Sequence, residues 1–139
     1  MNLRIQTVDT HFVQQVWLHV VGFIEDAMRK SEDASDYNVH HIQGFLTSGQ
    51  WLLLVAVDEQ NEIQGAATIS FMSYPLNRVA FVTSIGGKLI TNEDTFEQLK
   101  AICKQRGATK IQGFGRPAIV RLWQRYNFKP KSTLVEVSI

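Results

Sequence analysis

The stretch VAFVTSIGGKLITNEDTFEQLKAICKQRGATKIQGF, Val79–Phe114, decides the fold. It opens on VAFVTSI (Val79 to Ile85), a β-branched and aromatic run that reads as a strand. Gly86-Gly87-Lys88 breaks the run. Thr91 or Asn92 then caps a helix with Glu93 and Asp94 in its first turn. Phe96, Leu99, Ile102 and Cys103 recur at helical spacing as its buried face, and Gly107 stops it. KIQGF, Lys110 to Phe114, returns as a strand. Strand, helix and strand at this spacing form a right-handed crossover, which sets the second strand parallel to the first.

Upstream lie two more strands. WLLLVAV, Trp51 to Val57, is a continuous apolar run suited to a strand buried on both faces. IQGAATISFMSY, Ile63 to Tyr74, is long enough to bend near Gly65. Short turns, DEQNE and Pro75 to Arg78, join these and Val79–Ile85 into an antiparallel meander. Earlier still, Phe12, Val16, Val20, Phe23 or Ile24, and Ala27 predict a helix over Val8 to Lys30. The polar stretch RKSEDASDYN reads as a loop. Asn38 caps a second helix whose apolar face is Val39, Ile42, Phe45 and Leu46, and Gly49 ends it. Downstream, Pro117 fits the first turn of a last helix, with Ile119, Leu122, Trp123 and Tyr126 on one face. STLVEVSI, Ser132 to Ile139, is expected to close the chain as a strand. The expected order is α-α-β-β-β-α-β-α-β, a single domain over residues 1–139 of the α+β (α/β) class, with a mixed sheet flanked by helices.

The totals agree with a packed globular domain: 139 residues, 45% hydrophobic and 19% charged. The single cysteine, Cys103, excludes an internal disulfide and a cysteine-based metal cage, and suits a reducing cytosol. No signal-peptide core opens the chain, and no apolar run reaches the roughly 20 residues of a membrane helix. The net charge of +1 hides an asymmetry. Met1 to Gln98 carries five Lys/Arg and twelve Asp/Glu, whereas Leu99 to Val135 carries nine Lys/Arg and no acid. Most of those cations can simply solvate two helix faces. The polarity also suits an anionic ligand or partner at the basic end. No nucleic-acid motif accompanies it. His40 and His41 are adjacent and so face apart on a helix, and His11 and His19 are about 80° apart around one, so no metal site is expected.

With its elements in this order, the chain resembles the GNAT superfamily, the Gcn5-related N-acetyltransferases. Locally, LWQRYNF (Leu122 to Phe128) is similar to the family's L-Y-x-x-x-G-F. The Tyr74-Pro75 turn and the Gly115-Arg116-Pro117 step also resemble small GNAT-like proteins of tailed bacteriophages. The GNAT resemblance implies acetyl-CoA in a splay between two parallel strands, here Val79–Ile85 and Lys110–Phe114. Backbone N–H groups of the first strand, around Thr83 and Ile85, would hold the thioester carbonyl. The pyrophosphate would rest on a loop of the form Q/R-x-x-G-x-G/A that opens the following helix, where free N–H groups and the helix dipole bind an anion.

The sequence departs from that pattern. Gly86 and Gly87 directly follow the strand, and Glu93 and Asp94 hold the helix start. Those carboxylates compensate the dipole themselves and repel phosphate, by about 4 kcal/mol per contact at 4 Å and an effective dielectric near 20, before salt reduces it. A cofactor mode through Gly86, Gly87, Lys88 and Arg116 is the alternative that the resemblance leaves. The family's acid tyrosine corresponds to Trp123, whose indole N–H donates but does not ionise near neutral pH. Tyr126, one turn on, is the remaining candidate acid. Asn127 stands where the family has glycine and tolerates the left-handed conformation.

The resemblance therefore points to a diverged, phage-type binding or virion-associated module of the host cytoplasm or virion. The alternative is an acetyl-CoA-dependent N-acetyltransferase with a rearranged cofactor loop. A protein partner, or a second copy of the chain, is expected at the basic C-terminal third or at the last strand.

Overall fold

A computed structural model describes residues 2–31 and 36–139 of the chain. Its sheet has five strands in spatial order β1-β2-β3-β4-β5, namely Arg4–Val8, Trp51–Val57, Ile63–Ser73, Arg78–Gly87 and Lys110–Gly113. The first four are antiparallel, and β4 and β5 are parallel. The crossover read from Val79–Phe114 is thus the one observed.

Helices cover both faces. On one side α1 (Val13–Arg29) and α2 (Val39–Thr47) pack Val20, Ile24, Ile42 and Leu46 on Leu53, Val55 and Ala66. On the other, α3 (Glu93–Gln105) and α4 (Pro117–Trp123) pack Leu99, Cys103 and Trp123 on Leu54, Ile69 and Val82. This explains why β2 is apolar at every position: successive side chains enter opposite cores, and Leu52 through Val57 are all buried.

The caps follow the sequence. Asn38 accepts from the His40 and His41 backbone N–H groups, and Gly49 leaves α2 with φ +82°. Gly107 stops α3 with φ +84°. Residues 32–35 of the expected loop lie outside the described residues.

Three expectations need correction. First, the N-terminus forms β1, where no strand was expected. Leu3 and Ile5 alternate with Arg4 and turn into the α3 core, and the five-residue strand pairs with β2 from Arg4↔Val57 to Val8↔Leu53. Gln98 of α3 ties down its outer edge, accepting from Ile5 N–H at 2.8 Å and donating to Leu3 C=O at 3.1 Å. Second, the first helix begins at Val13 and not Val8, because Asp9 caps a short 3-10 turn over Thr10–Phe12. Phe12 is left 54% exposed, off the apolar stripe assigned to it. Third, Ser132–Ile139 is not a strand. It is exposed chain without a ladder, because a strand needs a neighbouring edge and none is engaged.

Candidate functional site

The β4–β5 ladder runs from Val79↔Lys110 to Val82↔Gly113 and stops there. Beyond it, β4 stays paired with β3 from Ser84 to Gly87, while the chain after β5 turns away through Phe114 to Arg116 into α4. The two strands therefore splay, and backbone groups on that side of β4 are left without a ladder. The register between β3 and β4 shifts at the same point: Thr68 opposes Ser84 and Ile69 opposes Val82, so Thr83 is the extra residue of a bulge. Its hydroxyl joins a small chain, with Thr68 Oγ1 2.7 Å from Thr83 Oγ1 and 2.6 Å from Ser84 Oγ.

Trp123 occupies the vertex of the splay. It is 8% exposed, and its ring carbon lies 3.6 Å from where a Cβ on Gly113 would stand. The indole thus packs beside the end of β5. No protein acceptor meets the indole N–H among the described residues.

The loop from Lys88 to Asn92 leads into α3. When the Q/R-x-x-G-x-G/A pattern is laid from Lys88, Thr91 and Glu93 take the places of its glycines. The helix start is already engaged. Asn92 Oδ1 accepts from Thr95 N–H at 2.9 Å. The buried Thr95 hydroxyl accepts from the N–H groups of Thr91 at 2.9 Å and Asn92 at 3.2 Å. Glu93 and Asp94 add two carboxylates to the first turn, and Asp94 is held by Gln98 at 2.9 Å. An anion arriving here meets like charge from Glu93 and Asp94, and the Thr91, Asn92 and Thr95 N–H groups are already used.

Gly86 and Gly87 have a different task. A Cβ on Gly86 would lie 2.2 Å from the Phe23 carbonyl oxygen of α1. Gly87 has φ +70°, and a Cβ there would lie 2.5 Å from the Gln64 carbonyl oxygen and 2.6 Å from the Phe23 ring. Both glycines let β4 pass close beneath α1.

An open groove runs between α3, β5, α4 and residues 129–132. Of Thr83, Ile85, Gly86, Gly87, Lys88, Arg116 and Tyr126, only Tyr126 lines it. Tyr126 stacks on Phe96 with ring centres 5.0 Å apart, and Phe128 packs on Phe96 at 5.7 Å and on Trp123 at 4.9 Å. These aromatics join the first turn of α3 to the end of α4. Asn127 has φ +67°, the left-handed turn expected of it. Arg116 precedes α4 in extended conformation without a side-chain cap bond. Lys100, Lys104, Lys110, Lys129 and Lys131 also border the groove, as do Glu93 and Glu97. Cys103 is buried below it, and desolvation pushes its thiol up to about 11, partly opposed by Arg106.

Sequence reading alone missed the Thr95 contacts, the Thr68–Thr83–Ser84 hydroxyl chain and the indole against Gly113. The Asn92-x-x-Thr95 spacing was a usable signal for the first. The other two depend on cross-strand register.

No family model and no curated protein sequence matches the chain. Solved structures do match it. A predicted acetyltransferase of Clostridium acetobutylicum, solved with acetyl-CoA, is similar over 99% of this chain and 96% of its own, at 14% identity and a TM-score of 0.67. The chain shares its fold, a mixed sheet flanked by helices, with these solved acetyltransferase structures. An aminoglycoside acetyltransferase from an uncultured soil sample, solved with sisomicin, is similar over 99% of this chain and 96% of its own, at 11% identity and 0.67. A Trypanosoma brucei acetyltransferase covers 99% and 100%, at 9% identity and 0.61. The splay and bulge of this chain are thus set in a fold shared with those structures. Among the described residues no three or more His, Cys, Asp or Glu gather as a metal group, and no helix is long and apolar enough to cross a membrane.

Proposed function

We propose that this GNAT-fold chain is a binding module that does not transfer acetyl groups, as its phage-type resemblance also suggests. One observation carries the reading: the start of α3, where the fold would receive a pyrophosphate, is closed by the Asn92–Thr95 capping contacts and by Glu93 and Asp94. Trp123 supports it, since the vertex holds a donor that does not ionise. The basic C-terminal third and the uncovered last segment are the surfaces offered to a protein partner. Incubation with acetyl-CoA and a panel of primary amines, followed by release of the CoA thiol, tests this. The expected rate equals that of buffer.

A second reading has its own support. Lys88 begins the loop that leads into α3, the β4 edge beyond Val82 is unladdered on the β5 side, and one similar structure was solved with acetyl-CoA. On that reading Lys88 and Arg116 hold phosphate, N–H groups near Thr83 and Ile85 hold the thioester carbonyl, and Tyr126 is the acid. Thiol release that Tyr126→Phe abolishes would establish it over the first.

A further inference from the structure

The turn between β3 and β4 puts its apolar residues into water. Met72, Tyr74 and Leu76 are 56%, 59% and 91% exposed, and Pro75 lies between the last two. The polar side chains of the same hairpin turn back onto the protein. Ser73 Oγ accepts from the Arg78 guanidinium at 2.8 Å, and Asn77 Oδ1 accepts from the Thr109 hydroxyl at 3.0 Å. The backbone is closed as well: Tyr74 N–H donates to Asn77 C=O at 2.7 Å, and Pro75 has no N–H. Apolar residues scattered singly on a surface are ordinary, but three at one tip, with the polar side chains withdrawn, mark an interaction site.

The tip is braced. Arg78 Nε donates to Arg106 C=O at 2.9 Å, and Arg78 N–H donates to Thr109 Oγ1 at 3.1 Å. The Arg78 guanidinium also lies 4.9 Å from the centre of the Phe71 ring. These contacts fix the hairpin to the turn that follows α3, so it needs little further ordering on binding.

That turn supplies charge. Arg106 and Lys110 are exposed, and Lys110 stands in one row with Val79 and Met72 across β5, β4 and β3. Among the described residues, none of the ion pairs engages Arg78, Lys104, Arg106 or Lys110. No acid occurs in the sequence between Glu62 and Glu93, or between Glu97 and Glu136.

An apolar tip backed by uncompensated cations is complementary to an anionic lipid surface. Apolar side chains enter the headgroup boundary, a tyrosine ring suits it, and Lys and Arg meet the negative charge. A protein partner fits the tip less well. The groove between α3 and α4 includes none of residues 71–78, so the hairpin offers a projection without a cleft. Its few apolar residues also fall far short of the roughly 20–30 a side that a stable protein interface uses.

We propose that Met72, Tyr74 and Leu76 insert into the headgroup region of an anionic bilayer, with Arg78, Arg106 and Lys110 against its surface. The chain then lies on the membrane and does not cross it. This goes beyond the proposed lack of acetyl transfer and stands whether or not acetyl-CoA binds.

Co-sedimentation of the full chain with vesicles of phosphatidylcholine alone, and of phosphatidylcholine mixed with phosphatidylserine, gives the first test. Binding is expected to the mixed vesicles only, and to be lost near about 1 M salt, where the Debye length shrinks to about 3 Å. Arg106→Gln with Lys110→Gln should weaken it about 25-fold, at about five-fold for each cation. Leu76→Ser should weaken it about ten-fold or more. All three positions are exposed, so circular dichroism should show the parent fold. The second test reads the tip itself. Leu76→Cys is labelled with an environment-sensitive fluorophore, which the buried Cys103 leaves free to react at the new thiol. Its emission should shift to the blue on the mixed vesicles. The same label on Gln60→Cys, in the β2–β3 turn at the other end of the sheet, should not shift. A chain that ignores both kinds of vesicle overturns the proposal in favour of a protein partner at the tip. Equal binding to both, binding that Leu76→Ser leaves undiminished, or a label at position 76 that stays in water overturns it as well.

Discussion

Replacing Gly86 with alanine tests whether the two glycines after β4 serve packing or a ligand. The added Cβ would meet the Phe23 carbonyl oxygen at 2.2 Å and its carbon at 2.9 Å. Real Cβ atoms do not approach that closely, and the obstacle is helix backbone, which has no rotamer to escape into. Either α1 lifts from the sheet or β4 bends away. Lifting α1 disturbs the core in which Val20 and Ile24 are fully buried. Overpacking costs about 1–3 kcal/mol, and backbone against backbone belongs at the upper end. For a chain of this size about 3 kcal/mol lowers Tm by roughly 10 °C. Urea unfolding followed by circular dichroism measures the loss, and calorimetry measures Tm. Gly22→Ala is the comparison, since nothing stands within 4 Å of its added Cβ and the site is helical. That variant should gain about 0.5–1 kcal/mol. A Gly86→Ala protein within about 0.5 kcal/mol of the parent, inside the range of an unremarkable surface change, would refute the packing role and return Gly86 to the list of ligand candidates.

Three further outcomes are expected. Thr95→Val strands the Thr91 and Asn92 N–H groups that the hydroxyl now satisfies, and should cost about 1–3 kcal/mol in urea unfolding. Cys103 should react with a thiol reagent at pH 8 only as fast as the protein opens, because burial holds its thiol at about 11. Since that value lies above the ordinary 9.0, the native state keeps a proton the unfolded chain gives up; stability is unaffected below pH 9 and falls as pH rises toward 11. Asp58, held below the usual carboxylate range chiefly by the Glu62 backbone N–H, has the opposite sign, so its contribution is lost as pH falls into the acid range, and Asp58→Asn should flatten that part of the unfolding profile.

The parts legible in the sequence were those with a local cause. β2, β3 and β4 are apolar runs bounded by turns, and α3 carries its own cap, face and stop. From these the parallel β4–β5 pair followed by handedness alone. β1 was not legible, because its five residues gain their place from pairing with β2 and from Gln98, both distant in the chain. The last segment misled for the converse reason. Its residues are strand-like, but a strand exists only where an edge receives it. At the site, the carboxylates in the first turn of α3 and the indole at position 123 could be read directly. The purpose of Gly86 and Gly87 could not, since only the packed structure shows the Phe23 carbonyl oxygen above them.

The proposed function turns on whether the start of α3, with Glu93 and Asp94 in its first turn, is closed to a pyrophosphate. Calorimetric titration with acetyl-CoA, with free CoA in parallel, tests it most directly. The account predicts no binding heat up to millimolar ligand for either compound. Saturable micromolar binding of both would contradict it, and would mean that the loop beginning at Lys88 holds pyrophosphate despite Glu93 and Asp94.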